Sequence, residues 1–210
     1  LWRKAINKEM SRVRVAWKTH DANTPQEVRD GKVPELTGFQ EIGCHIVFDI
    51  KMDFTRKARF VAGGRTTEAP SSITYSSVVS RDSIWIAFLI AALNNLDIMS
   101  CDLENAYLNA PCREKIWFEG GLECGEDKGK VCVIVRSLYG LKSAGAAFRA
   151  ALAQILQDLG YKSSTANPDI WMCEAVKTDG HKYNEMLFVY VNNILALSHQ
   201  AKESIQEITN

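Results

Sequence analysis

Apolar residues recur at helical spacing from the first turn of the chain. Trp2, Ile6, Met10, Val13 and Trp17 fall on one stripe, which predicts a helix from Trp2 to about Trp17. HDANTPQEVRDGKVPELTG follows as a polar connection broken by prolines and glycines. Ile42 to Ile50 alternates toward a strand, Arg59 to Ala62 makes another, and a hairpin across Lys51 to Thr55 joins them. GGRTTEAPSSITYSS reads as a loop. Ser83 to Leu96 is the clearest helix, with Ile84, Phe88, Ala91, Ala92 and Leu96 on one face and Asp82 or Ser83 as its cap. Leu96 to Leu103 reads as a short buried strand running into ENAYLNAP, which Pro111 ends. Ile116 to Glu119 and Cys132 to Val135 read as strands around GGLECGEDKGK. Ala144 to Gly160 is a long amphipathic helix with Gly160 as its stop. Ile170 to Ala175 and Met186 to Val191 read as strands, and Lys202 to Ile208 begins a last helix.

Near the end lies FVYVNNILALSH, two apolar runs separated by Asn192 and Asn193. Two strand-like segments with a two-residue polar link predict a tight hairpin, and Asn tolerates the left-handed backbone such a turn needs. The order of elements is mixed α+β, with no internal repeat.

Composition narrows the class. Hydrophobic residues make up 46% of the 210, enough for a core in one large or two small domains. No apolar run approaches the roughly 20 residues of a membrane span. LWRKAINKEM is charged and helix-like, unlike a signal peptide, and the missing initial Met suggests a piece of a longer chain. Six cysteines lack zinc spacing, so free thiols in a reducing compartment are expected and any metal should bind oxygen. Net charge is zero, but KMDFTRKARFVAGGR carries five basic residues against one acidic. It fits either a solvated strand or one that faces phosphate.

Asp102 ends an apolar segment, and a carboxylate at a buried strand end must cap, pair or bind metal. If its strand and the hairpin share a sheet, Asp102 and the Asn192-Asn193 tip could meet. A strand-end Asp beside a hairpin-tip carboxylate pair is a way to grip two Mg²⁺ ions.

The motifs together resemble the reverse transcriptase domain of Ty1/copia-type retrotransposons, over nearly the whole chain. The helix from Trp2 to Trp17 is similar to the family's opening helix. VFDIKMDFTRKARFVAGG resembles its fingers hairpin, and TYSSVVSRDSIWIAF the segment and helix that follow. CDLENAYLNA resembles the motif holding the first catalytic Asp, VRSLYGLKSAGAAF the family's K-S-L-Y-G-L-K-Q-A, and VYVNNILALS stands in place of L-Y-V-D-D-I.

The resemblance implies an α+β right-hand polymerase fold of fingers and palm, with an antiparallel palm sheet packed on helices and the thumb absent. Residues 1–210 would form one fingers-palm fragment, fingers mainly 1–82 and about 112–145, palm mainly 83–111 and about 146–210. The implied reaction is two-metal nucleotide addition to a primer 3′-OH. Asp102 would be the metal ligand, with Asn192 and Asn193 at the two other catalytic positions. Lys57 and Arg59 would hold the triphosphate, strand register deciding which faces inward. The Leu103 backbone would lie near the triphosphate, and Tyr107 would pack under the sugar. Tyr139, Gly140 and Lys142 would meet the template-primer and the new base pair. Mg²⁺ is the implied cofactor. The implied partners are an RNA or DNA template with primer, a dNTP, and the rest of a Pol polyprotein, integrase upstream and ribonuclease H downstream. The implied location is a cytoplasmic virus-like particle, without a membrane.

The chain departs from the family where Tyr-Val-Asp-Asp reads Tyr190-Val191-Asn192-Asn193. Two charges are lost where divalent cations must gather, so this copy is expected to be inactive or severely impaired. The alternatives are a non-catalytic nucleic-acid-binding module or a decayed remnant. Gly63-Gly64-Arg65 and Trp85 are also unusual beside the family pattern, and Asn95 and Asn167 stand where Asp would be as natural.

Overall fold

The computed structural model describes residues 1–68 and 74–209. In chain order these form α1 (Trp2–Val13), β1 (Trp17–His20), α2 (Pro25–Arg29), β2 (Gln40–Glu41), β3 (Cys44–Ile50), β4 (Arg56–Ala62) and α3 (Arg81–Asn94). Then come β5 (Asp97–Asp102), β6 (Ile116–Glu119), β7 (Val131–Ile134), α4 (Ala144–Asp158) and β8 (Lys162–Ser163). The chain finishes with β9 (Ile170–Val176), β10 (Lys182–Tyr190), β11 (Asn193–Ser198) and α5 (Ala201–Thr209). The α+β expectation holds. The chain divides into two compact units, one of residues 1–75 and 107–148, the other of 76–106 and 149–210.

The first unit holds a four-stranded sheet, order β1-β7-β6-β2, and the separate antiparallel hairpin β3-β4. Trp17, Phe60 and Phe118 form its centre, with ring centroids 5.4–5.7 Å apart. Period-two alternation sends Ala58, Phe60 and Ala62 of β4 into this core, beneath α1. The buried Trp17 indole donates to Asp127 Oδ2 at 3.0 Å, and Arg14 pairs with the same oxygen at 2.8 Å. A carboxylate so deeply buried persists because both donors reach it. The opening helix is shorter than expected. α1 ends at Val13, a 3₁₀ turn follows, and Trp17 begins a strand whose sheet pairing outweighs the helical spacing. The polar connection contains α2, fixed by a capping box of Thr24 and Glu27 with Pro25 in its first turn. The loop predicted across GGRTTEAPSSITYSS contains a 3₁₀ turn at Gly64–Thr66, and its residues 69–73 lie outside the described residues.

The second unit is built on a five-stranded antiparallel sheet, order β5-β11-β10-β9-β8. Helix α3 lays Ala87 and Ala91 against Phe188 and Leu197 of the sheet. Its cap is Ser80, whose Oγ accepts the Ser83 N–H at 3.2 Å, not Asp82 or Ser83. The face predicted around Phe88 and Ala92 is instead largely exposed. Asn95 closes the helix at φ 49°, ψ 55°, a left-handed cap for which Asn is well suited. Asn167 Oδ1 accepts the Asp169 N–H at 3.0 Å, so its amide makes a local turn.

Two corrections bear on the site. The strand ending in Asp102 is not buried but runs along the sheet edge, with most of its residues exposed. Nor do the two asparagines form the hairpin turn. Tyr190 pairs with Asn193, so Val191 and Asn192 make the two-residue link. Asn193 is held in β11 because it pairs with Tyr190 on one side and Asp102 on the other. Val191 consequently takes φ 55°, a costly conformation for a β-branched residue.

Val191→Gly should therefore raise stability by about 1 kcal/mol, strain relief exceeding the entropy that glycine adds to the unfolded chain. Urea denaturation checks this, and a lower midpoint with an unchanged slope would show that Val191 is not strained.

Candidate active site

The last residue of β5 and the first of β11 stand opposite each other, Asp102 against Asn193. Leaving β5, the Leu103 N–H donates to the Asn192 carbonyl at 2.7 Å and locks the exit of that strand to the hairpin turn. The Asn192 Nδ2 donates to Asp102 Oδ1, and the Asn193 Nδ2 donates to Asn192 Oδ1 at 3.4 Å. The result is an amide relay ending on a carboxylate. Asp102 is exposed, so its charge is hydrated and needs no buried partner. Leu103 offers no spare N–H to a phosphate while its bond to the turn holds.

The β10–β11 hairpin is also tied down at its far end, away from the tip. Tyr161 OH, Ser198 Oγ and Ser204 Oγ all donate to the Glu185 carboxylate, the serines at 2.5 and 2.8 Å. These bonds tie β10, β11 and α5 together. Burial, and the Glu185 carboxylate after it, push the Tyr161 hydroxyl far above its usual range, so it stays protonated and donating. Arg149 reaches the buried Asp169 Oδ1 at 3.0 Å through Nε and 2.9 Å through Nη2. The Asp169 carbonyl in turn accepts the Val189 N–H at 2.9 Å, just before the turn.

Hard divalent cations take several oxygen ligands, and a pair of them needs anionic ones. The tip supplies one carboxylate and two neutral amides, one of which points its NH₂ at that carboxylate. These residues do not fit a two-cation site. Among the described residues, no three His, Cys, Asp or Glu side chains come together as metal ligands.

The other expected residues belong to the first unit. Lys57 and Arg59 are two apart on β4, so the pleat puts both on the face opposite Phe60 whatever the register. The expectation that register would choose between them is thus corrected. Arg59 Nη1 lies 3.8 Å from Asp49 Oδ2, a loose and exposed pair. Tyr107 sits edge-on to Tyr139, centroids 4.8 Å apart at 72°, and to Phe148 at 6.1 Å. Lys142 Nζ donates to the Thr67 carbonyl. The Ala62 N–H donates to the Tyr139 carbonyl at 2.8 Å, joining the end of β4 to the Tyr139–Lys142 loop. Gly140 has φ +94°, and a Cβ there would lie 2.0 Å from the Ala62 carbonyl oxygen. A Cβ on Gly64 would meet the Gly140 carbonyl oxygen at 2.4 Å, so the unusual Gly63-Gly64 pair has a packing reason. The structure thus gathers Asp102, Leu103, Asn192 and Asn193 in one unit. It places Lys57, Arg59, Tyr107, Tyr139, Gly140 and Lys142 in the other.

Sequence reasoning missed Glu114. Its Oε1 accepts both the N–H and the Oγ of Ser143, at 2.9 and 2.6 Å, anchoring the start of α4 just after the loop. No local pattern signals a contact across 29 residues. The Glu185 cluster was equally hidden, since its hydroxyls come from three separate stretches of the chain, at Tyr161, Ser198 and Ser204.

Comparison with known proteins gives a consistent result. A family model described as reverse transcriptase (RNA-dependent DNA polymerase) matches residues 32–209. The Gag-Pol polyproteins of transposons Ty1-DR4 and TyH3 of Saccharomyces cerevisiae are 31% identical over 144 residues. That match covers 68% of this chain and 8% of each relative's length.

Gly140→Ala should cost about 2–4 kcal/mol, because neither the left-handed backbone nor the approach to Ala62 tolerates a Cβ. Chemical denaturation measures it. A loss under about 1 kcal/mol would mean that the loop can move away without cost to the fold.

Proposed function

Because the chain belongs to the reverse transcriptase (RNA-dependent DNA polymerase) family, in its Ty1/copia-type branch, we propose that it is a retrotransposon polymerase domain that has lost nucleotide addition. The observation that carries the loss is the donor set at the hairpin tip, where one carboxylate and two amides stand on a polymerase-type strand pair. Cations held by Asp102 and carboxylates at the two neighbouring positions would supply activation of a primer hydroxyl and charge stabilisation of a leaving pyrophosphate, and the amides of Asn192 and Asn193 would hold them poorly. Asn keeps the size and hydrogen bonding of Asp, so the hairpin persists while its charge does not.

We read the first unit as fingers and the second as palm. Their limits, near residues 75, 106 and 148, fall close to the sequence boundaries and support that reading. On this reading Lys57 and Arg59 offer a paired cationic face to a triphosphate, and Arg can bind it bidentately. Tyr107, braced edge-on by Tyr139 and Phe148, presents a rigid ring to a sugar. Gly140 lets backbone come close to a base pair, and Lys142, turned toward Thr67, stiffens the loop. The partners would be a template with primer, a dNTP and the rest of a Gag-Pol-type polyprotein. A virus-like particle would be the setting. No helix among the described residues is long and apolar enough to cross a membrane.

Primer extension with Mg²⁺ or Mn²⁺ tests the proposal. Removing one preorganised electrostatic group costs roughly 10²–10³ in rate, so two losses should leave no product above background. Robust extension by the unaltered chain would overturn it.

A further inference from the structure

Helix α3 is unusual in having no polar side. From Ile84 to Leu93 every residue is apolar, and the polar residues Arg81, Asp82, Ser83 and Asn94 are confined to its ends. A helix apolar all round is expected inside a larger body, whereas a surface helix turns charged residues to water. The sizes are also reversed. Small Ala87 and Ala91 face the helix's own sheet, while Trp85, Ile86, Phe88, Leu89 and Leu93 are 65, 57, 39, 59 and 75% exposed. At about 100° per residue these five cover a stripe roughly 160° wide, with Leu89 near its middle. Trp85 and Phe88 already brace each other edge-on, ring centroids 6.0 Å apart.

We propose that this stripe is covered by the same stripe of a second copy of the chain, the two α3 helices packing antiparallel about a twofold axis near Leu89. Three features choose this occupant. The first is register. An antiparallel twofold at Leu89 sets Trp85, four residues before it, against Leu93 of the other copy, four residues after it, so the largest ring meets the most exposed aliphatic. Ala92, beside the axis, lets the helices approach to the usual 8–10 Å. The second is charge. Asp82 lies seven residues before Leu89, and the facing position lies at the other helix's C-terminal end. There Lys177 Nζ is held at 2.5 Å from the Asn94 carbonyl oxygen. Arg81 and Asp97 also lie at these ends, and the same twofold sets Arg81 toward Asp97 of the other copy, so unlike charges meet at both positions when the helices run in opposite directions, which also opposes their dipoles. The third is area. The five side chains expose on the order of 500 Å² per copy, so two copies cover on the order of 1,000 Å², the threshold of a specific interface. All of these residues belong to the second unit, so the inference requires nothing of the first. It also stands apart from the loss of catalysis.

Sedimentation equilibrium over about 1–100 µM checks it. A monomer of 23.5 kDa should give way to twice that mass as concentration rises, reversibly on dilution. Trp85→Glu/Leu89→Glu should keep the monomer throughout with its circular dichroism unchanged. Asp82→Lys alone should weaken the dimer roughly 5–10-fold, and adding Lys177→Glu should restore it, a rescue that damage to the fold would not give. A monomer at every concentration would overturn the proposal and leave the stripe to another polypeptide. So would a dimer that ignores the Trp85/Leu89 change, or a Lys177→Glu change that fails to rescue.

Discussion

The pairing of Asp102 with Asn193 across β5 and β11 is the contact on which the candidate site depends. It fixes which strand ends meet, and it moves the hairpin turn one residue earlier than the asparagines suggest. It also forces Val191 into a left-handed backbone. An antiparallel ladder has little freedom here, because a slip of one residue would turn Leu195 and Leu197, which pack with Ala87 and Ala91 of α3, to the other face of the sheet. Backbone pairing and buried apolar alternation therefore hold the tip in place without its carboxylates. On the proposed reading, geometry and charge at this site are separable, and this chain keeps the first without the second.

That separation explains why an amide relay is stable where a carboxylate trio would not be in the absence of cations. Three acids at one strand end repel unless a metal gathers them. Two amides and one acid satisfy each other through NH₂ donors instead. The polar bracing of the hairpin, from Glu185 with its three hydroxyls at the far end to Arg149 with Asp169 near the turn, has its charges answered by local donors. None of it depends on what binds at the tip.

Much of the fold was legible in the sequence. Strands such as Ile116–Glu119, the hairpin around Lys51–Thr55 and the long helix from Ala144 carry their own periodicity, turn residues and stop signals. What was illegible arose from partners distant in the chain. Trp17 keeps a helical spacing yet joins a sheet, because β7 lies waiting more than 110 residues later. The burial of β5 was misjudged because apolar residues on an edge strand look the same in sequence as those on a central one. Of the candidate site, the meeting of Asp102 with the hairpin could be anticipated from the motifs. The direction of the Asn192 amide, the bond from Leu103 and the brace from Glu114 to Ser143 could not, since each is fixed by tertiary approach rather than by local spacing.

The central claim is that the hairpin tip has kept its shape and lost its affinity for divalent cations. Counting bound Mn²⁺ by electron paramagnetic resonance, for the unaltered chain and for Asn192→Asp/Asn193→Asp, tests it most directly. The expected result is at least one additional ion bound at submillimolar concentration by the variant and none at that affinity at the unaltered tip. Equal numbers of ions bound with equal affinity by the two proteins would contradict it.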